Sequence, residues 1–313
     1  MSRQTSGDIV VVSINGLGDQ ILTWPTMRAL HQLYPNRLKL VLGVGMRFMF
    51  CRDVPFKGQV RALYQDREAL TFDVDKVAAA IGPCDTLIHL GPWLSDSLWD
   101  VICATKPRRS IGLNPAFSDD VKVAADVHMF ERSFALAEHL DPDLIFEDFC
   151  APPVFSPPAE NLAQRLAQET INKHEKFLFV HPETLVNKMW RATYFDEVLA
   201  AFLERCPEYR VVVCSRHAYA LRAHPRVHHL HPHLEVAMAL VGLADCFLGV
   251  DSCFLHAADL YRIPGVALFG TTQSADWGFR LAQPSVNIDG DGDMSRIKPE
   301  EVLSALLKVA PRA

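Results

Sequence analysis

Asp8-Ile9-Val10-Val11-Val12-Ser13-Ile14-Asn15-Gly16-Leu17-Gly18-Asp19 decides the architecture. The first seven residues make an apolar, β-branched run of strand length. The two glycines then give way to a helical pattern through Leu22, Met27, Leu30 and Leu33 that Pro35 ends. A strand, a glycine turn and a helix follow one another within about 25 residues.

The alternation repeats outward from this start. Strands are expected at Leu38 to Leu42, near Val60 to Tyr64, at Thr86 to Leu90 and at Arg109 to Leu113. Helices are expected at Val74 to Ile81, through Leu94, Leu98 and Ile102, and at His128 to Leu140. From Asp141 to Glu160 five prolines, at 142, 152, 153, 157 and 158, replace the helical period and predict a linker. Strands then recur at Phe177 to Val180, Tyr209 to Cys214, Cys246 to Val250 and Val266 to Phe269, with helices between, and Pro299-Glu300-Glu301 opens a last one. Apolar strands separated by helices predict parallel sheets covered on both faces. The expected fold is therefore α/β, with two Rossmann-like doubly wound domains, 1–150 and 151–313. In such sheets ligands bind at the carboxyl ends of strands, which predicts a site in the cleft between the domains.

Composition sets the outer limits. The 313 residues are 49% hydrophobic and 22% charged, which excludes disorder, collagen and a disulfide miniprotein. A net charge of −6 argues against a nucleic-acid partner. There is no membrane-spanning run, and Met1 to Asp8 is polar, so the expected location is cytoplasmic. Eight cysteines without a C-x-x-C pair suit free thiols in a reducing compartment.

Three strand-end segments carry the chemistry. In the first, Gly16 and Gly18 permit close approach of a ligand and Asp19 lies in the first helical turn. Ile21 stands where a dinucleotide fingerprint needs its third glycine, so a nicotinamide enzyme is disfavoured; the plain alternative for Asp19 is a helix cap. The second is Gly249-Val250-Asp251-Ser252-Cys253-Phe254-Leu255-His256-Ala257-Ala258. Here Ser252 is placed to cap a helix whose free N–H groups would meet an anion such as a diphosphate, with His256 one turn in. An accessible Cys253 in the first turn predicts a depressed thiol pKa. In the third, His181-Pro182-Glu183-Thr184 through Lys188-Met189-Trp190, Thr184 offers a hydroxyl and Lys188 a point charge for phosphate.

Taken in order, these segments resemble glycosyltransferase family 9, the ADP-heptose heptosyltransferases. Asn15 to Leu30 is similar to its G-x-x-G-D and L-x-x-x-P-x-x-x-x-L opening. His181-Pro182 with Lys188 and Trp190 is similar to its second segment. Gly249 to His256 resembles D-[ST]-G-x-x-H, and Leu268 to Thr272 with Trp277-Gly278 resembles F-G-P-T and W-G. The resemblance implies a GT-B architecture and inverting, metal-independent transfer of a heptose from ADP-heptose, with no cofactor, to an acceptor hydroxyl on a glycan or similar molecule held by the N-terminal domain. It implies Asp19 as general base. Thr184, Lys188 and the backbone at Ser252, Cys253 and Phe254 would hold the diphosphate, with Asp251 and His256 at the donor. The last helix would stay in the nucleotide-sugar domain or pack back on the N-terminal one.

Three positions depart from that pattern: Cys253 replaces a glycine, Glu183 brings a negative charge beside the expected diphosphate, and Ser215-Arg216-His217 follow the strand ending at Cys214, where the family often has glycine and an acid. Two alternatives therefore stay open, another nucleotide sugar or a non-catalytic sugar-nucleotide-binding paralogue. From Arg28 to Arg67 the chain carries Arg28, Arg37, Lys39, Arg47, Arg52, Lys57, Arg61 and Arg67 against Asp53 and Asp66. If clustered at the site they would attract an anionic acceptor, with at most peripheral contact at the inner membrane face. His224, His228, His229, His231 and His233, and Asp289, Asp291 and Asp293, are weak candidates for metal, and solvated loops are the plainer account.

Overall fold

The computed structural model describes residues 7–43, 52–66, 68–172, 174–216 and 222–311. The chain divides into two compact units, Met1–Cys150 and Ala151–Ala313. The first contains β1 (Ile9–Ser13), β2 (Leu38–Gly43), β3 (Gly58–Ala62), the small antiparallel pair β4 (Tyr64–Asp66) and β5 (Thr71–Phe72), β6 (Thr86–His89), β7 (Arg109–Gly112) and β8 (Asp119–Asp120). Its helices are α1 (Leu17–Leu22), α2 (Trp24–Leu33), α3 (Val74–Ile81), α4 (Asp96–Thr105) and α5 (Met129–Glu138). The main sheet runs β3-β2-β1-β6-β7-β8 and every pairing in it is parallel. Ile9 to Val12 are almost wholly buried because helices cover both faces, so burial of each aliphatic side chain contributes about 1.5–3 kcal/mol.

The second unit repeats the plan. It comprises α6 (Pro157–Thr170), β9 (Lys176–His181), α7 (Ala192–Arg205), β10 (Tyr209–Cys214), β11 (Val227–Leu230), α8 (Leu234–Val241), β12 (Cys246–Val250), α9 (Cys253–Leu260), β13 (Gly265–Phe269), α10 (Ser274–Trp277), β14 (Ser285–Asp289) and α11 (Pro299–Val309). The sheet order is β11-β10-β9-β12-β13-β14, again all parallel. In both sheets the chain winds outward one way from its first strand, then returns to that strand's other side and winds the opposite way. The switch points lie between β1 and β6 and between β9 and β12. Loops diverge there, which opens a crevice at the carboxyl ends of the strands.

One expectation needs correction and one is narrowed. The proline-rich stretch is no 20-residue linker. Phe146 and Phe149 are buried in the first unit, packed on Phe130 and Phe134 at ring distances of 5.3–6.1 Å. Pro157 and Pro158 occupy the first helical positions of α6, where a missing N–H costs nothing. Helical period was hidden there by prolines that start a helix rather than forbid one. The last helix, expected in either unit, belongs to the second: it buries Val302, Leu306 and Val309 in that unit's own core against α7 and β13.

Candidate functional site

At the first switch point, Ile14 ends the buried strand and Gly16 caps α1, which puts Asp19 in that helix's first turn. A β-carbon on Gly16 would lie 2.8 Å from Asp19 Oδ2, so the glycine is what lets the carboxylate fold back over the turn. Gly18 sits inside the same turn. Asp19 lines an open pocket of about 400 Å³ together with Asn15, Gly16, Glu68 and Trp93. On the neighbouring strand His89, the last residue of β6, is 1% exposed, stacks on Phe117 at 5.8 Å and has no hydrogen-bond partner for either ring nitrogen among the described residues. Burial lowers its pKa to about 4, so the ring is neutral.

The second switch point is internally bonded. Lys188, at the end of the 3₁₀ turn Val186–Lys188, places Nζ 2.6 Å from Asp251 Oδ2. The same oxygen accepts a 2.6 Å bond from Thr272 Oγ1, and Thr184 Oγ1 donates to the Asp251 carbonyl at 2.9 Å. Thr184, Lys188 and Asp251, far apart in sequence, therefore form one network, and Thr272 belongs to it. Trp190 anchors the loop from the core, donating Nε1–H to Ile297 O at 3.1 Å. His181 closes the floor: it donates Nδ1–H to Cys214 O at 2.7 Å and lies 4.0 Å from the Phe254 ring. Its pKa is lowered to about 4, chiefly by burial.

The start of α9 differs from expectation in two respects. Ser252 is the N-cap residue but makes no side-chain cap bond, and its buried Oγ has no partner among the described residues. The cap hydroxyl thus leaves the first-turn amides uncapped. Cys253 is not an activated thiol. Desolvation pushes its pKa up to about 12, against the smaller opposing pull of the amides of Cys253 and Phe254 and of the Arg216 charge. The Phe254 side chain is core, stacked on Phe179 at 5.8 Å, so only its backbone faces the helix start. His256 is 2% exposed, with Trp277 at 6.4 Å. The unexpected charge of Glu183 is used locally, where its carboxylate accepts the backbone N–H of Arg216.

The remaining candidates resolve into structural roles. Arg37 bonds Gly7 O, Lys39 bonds Ala80 O and Ile81 O, and Lys57 pairs with Asp8 at 2.6 Å. All three lie at the amino ends of the sheet strands, away from Asp19. Arg28 pairs with Asp53, and exposed Arg61 stands near the carboxyl end of β3. Among the described residues, Arg37, Lys39 and Lys57 thus lie away from the pocket; Arg47, Arg67 and His217 lie outside the described residues. His224 and His233 accept neighbouring backbone N–H groups, His231 meets Ser215 O, and Asp289 and Asp293 bind Ser274 and Ser295. No group of three or more metal-ligating side chains occurs among the described residues.

Sequence reasoning missed Asp259. Fully buried, it accepts the N–H groups of Arg280, Leu281 and Ala282 at 2.7–2.9 Å and so clamps the loop after Trp277.

Two Rossmann-like units, one with a carboxylate and the other with a cation beside a helix start, make up the GT-B architecture that glycosyltransferases use. The profile of glycosyltransferase family 9 (heptosyltransferase) matches residues 104–293, more than half of the chain, and the protein belongs to that family. Solved structures agree on the fold. A glycosyl transferase family 9 structure from Veillonella parvula shares 16% identity over 97% of both chains with a TM-score of 0.74. E. coli ADP-heptose LPS heptosyltransferase II shares 17% over 95% of this chain and 97% of that one, with a TM-score of 0.67. E. coli heptosyltransferase WaaC, solved with ADP-2-deoxy-2-fluoro heptose, shares 13% over 95% and 98%, with a TM-score of 0.62. No curated protein matches the sequence. No helix among the described residues is long and apolar enough to cross a membrane.

Proposed function

We propose that this glycosyltransferase is an inverting heptosyltransferase that uses ADP-heptose and needs no metal. The observation that carries the reading is the chemical contrast between the two switch points: Asp19 over Gly16 in an open pocket, and Lys188 beside the uncapped start of α9. Asp19 takes the proton of an acceptor hydroxyl as that oxygen attacks the anomeric carbon. The bond from that carbon to the diphosphate oxygen breaks on the opposite side, and ADP leaves with the electron pair. The anomeric configuration is inverted. Lys188 and the amides of Cys253 and Phe254 stabilise the departing diphosphate charge, with the Ser252 hydroxyl available as a further donor. Thr184 donates its hydroxyl hydrogen bond to the Asp251 backbone carbonyl, so its part is to hold the strand-end loop that carries Asp251 in place.

General-base removal costs roughly 10²–10⁴-fold in rate. Asp19→Asn is expected to lose about 10³-fold in kcat while ADP still raises the melting temperature as in the parent protein. Full activity of Asp19→Asn in an ADP-release assay would end the assignment. Product anomeric configuration, read by proton NMR, tests inversion. A thermal-shift series with ADP, GDP and UDP tests the nucleotide, because a ligand of the native state raises Tm with its affinity.

A further inference from the structure

Asp19 and Asn15 face two spaces. One is the open pocket. The other is a tight cavity of about 10 Å³ against α5, whose polar wall is completed by Ser13, Thr23 and Ser133. One water needs roughly 10–15 Å³ and two to four polar partners, so this space takes a single water and nothing larger. Leu22, Leu90 and Met129, all buried, line it as well and shield it from bulk solvent.

The hydrogen bonds around the cavity give it a direction. Ser133 is 1% exposed on α5, and its Oγ accepts a 2.9 Å bond from Thr26 Oγ1 on α2. A hydroxyl that accepts on one side carries its own O–H on another. Thr23 donates its proton to Gln20 O at 2.8 Å, so toward the cavity it is an acceptor. Asn15 is buried, and its Oδ1 has no hydrogen-bond partner among the described residues. A buried acceptor in that condition calls for a water or a ligand. A water in the cavity accepts from Ser133 and donates to Asn15 Oδ1 and to the Asp19 carboxylate. A carboxylate has about four lone-pair sites, so such a bond leaves room for its other contacts. We infer that the cavity holds one ordered water joining Ser133 to the Asp19 carboxylate, and that Ser133 is thereby a positioning residue for the base. This rests on Asp19 as the acceptor's base and adds what aims it: a donor on the cavity side fixes the carboxylate's rotation and favours its ionised form. Thr26 acts one step further back, by turning the Ser133 hydroxyl toward the cavity.

Two measurements on the full chain test this. A crystal structure at a resolution that shows ordered waters is expected to place one in the cavity, about 3.2 Å or less from Ser133 Oγ, Asn15 Oδ1 and a carboxylate oxygen of Asp19. Carbon-13 NMR of the aspartate carboxyls reads the titration of Asp19, identified as the signal lost in Asp19→Asn. In Ser133→Ala the Asp19 midpoint should rise by about 0.5 unit or more, because a donor to the charged form is gone. Thr26→Val should shift it in the same direction by less, and Ser133→Thr, which keeps the hydroxyl, should stay close to the parent. Glu68 in the open pocket and the neutral His89 ring on β6 are the same in every variant, so their effects cancel in the comparison. ADP thermal shifts matching the parent show that the variants are folded. A cavity without water density, or an Asp19 midpoint unmoved in Ser133→Ala, overturns the proposal. Failure of the base assignment is separate: Asp19→Asn would then turn over normally while the water and the Ser133→Ala titration shift persisted.

Discussion

The loops after β1 and after β9 hold the same place in two sheets of one strand order, yet they are finished differently. In the second unit the charged groups at the switch point are partnered: Lys188 and Thr272 meet on Asp251, and Thr184 ties the Asp251 carbonyl. In the first unit the corresponding loop ends in a six-residue helix, a glycine that clears room for a carboxylate, and an open pocket with an Asn15 Oδ1 unpartnered among the described residues. Topology decides where a ligand sits; the side chains at the strand ends decide which chemistry it meets. A network with its charges already oriented suits a diphosphate, which needs little reorganisation of the protein. An open acid-lined pocket suits a hydroxyl-bearing sugar.

The sharpest test of this contrast is Asp19→Asn, expected to act on rate alone. Its counterpart, Asp251→Asn, should act on structure and donor affinity together. It leaves the Lys188 ammonium, 20% exposed, without its countercharge, and about 2 kcal/mol of stability should be lost in urea unfolding together with a weakened ADP thermal shift. If Asp251→Asn left both unchanged, the second loop would not be the organised one.

Acid destabilises each unit through a buried histidine of its own. His89 and His181 titrate at about 4 in the folded chain against an ordinary value of 6.5. The unfolded chain therefore binds the extra proton between these values, and the stability contribution, complete above about pH 6.5, is lost as pH falls toward 4. At pH 5 the loss is about 2 kcal/mol for each ring. His89 has Phe117 as its ring partner, so His89→Phe should remove its share of this loss. Unfolding compared at pH 7 and pH 5 reads the change directly, and an unaltered pH slope in the variant would contradict it. The smallest effect is expected at Glu183. Since its carboxylate caps the Arg216 amide, Glu183→Gln keeps an acceptor there and should alter stability by less than about 0.5 kcal/mol and ADP affinity by less than 2-fold. A large gain in ADP affinity would mean that the charge faces the diphosphate.

Much of this was legible in the sequence because it depends on local order. The Ile9–Val12 run, the glycine turn and Asp19 are contiguous, and so are Gly249 to His256. Alternation of strands and helices gave the fold class, and the segments around Asp19, Lys188 and Asp251 indicated the family. What remained hidden depends on contacts between distant residues. Nothing near Thr272 in the sequence says that its hydroxyl ends on Asp251, 21 residues away. Nothing near Asp259 says that its carboxylate gathers three backbone amides. The expectation of a depressed Cys253 pKa holds only for an accessible thiol, and here desolvation outweighs the amides and the Arg216 charge. Trp93 had a readable signal, its place in a loop directly after the Thr86–His89 strand.

The Lys188–Asp251 pair also bears on how affinity should respond to salt. A lysine that waits alone gathers mobile counterions and releases them when an anion binds, which makes binding steeply dependent on ionic strength. Lys188 waits instead against a carboxylate of its own chain. A diphosphate bound there as proposed would share an ammonium that is already neutralised, and few dissolved ions would change places. On the proposed reading, donor affinity should accordingly depend only weakly on the ionic strength of the surroundings, a property set by an aspartate of the protein's own chain.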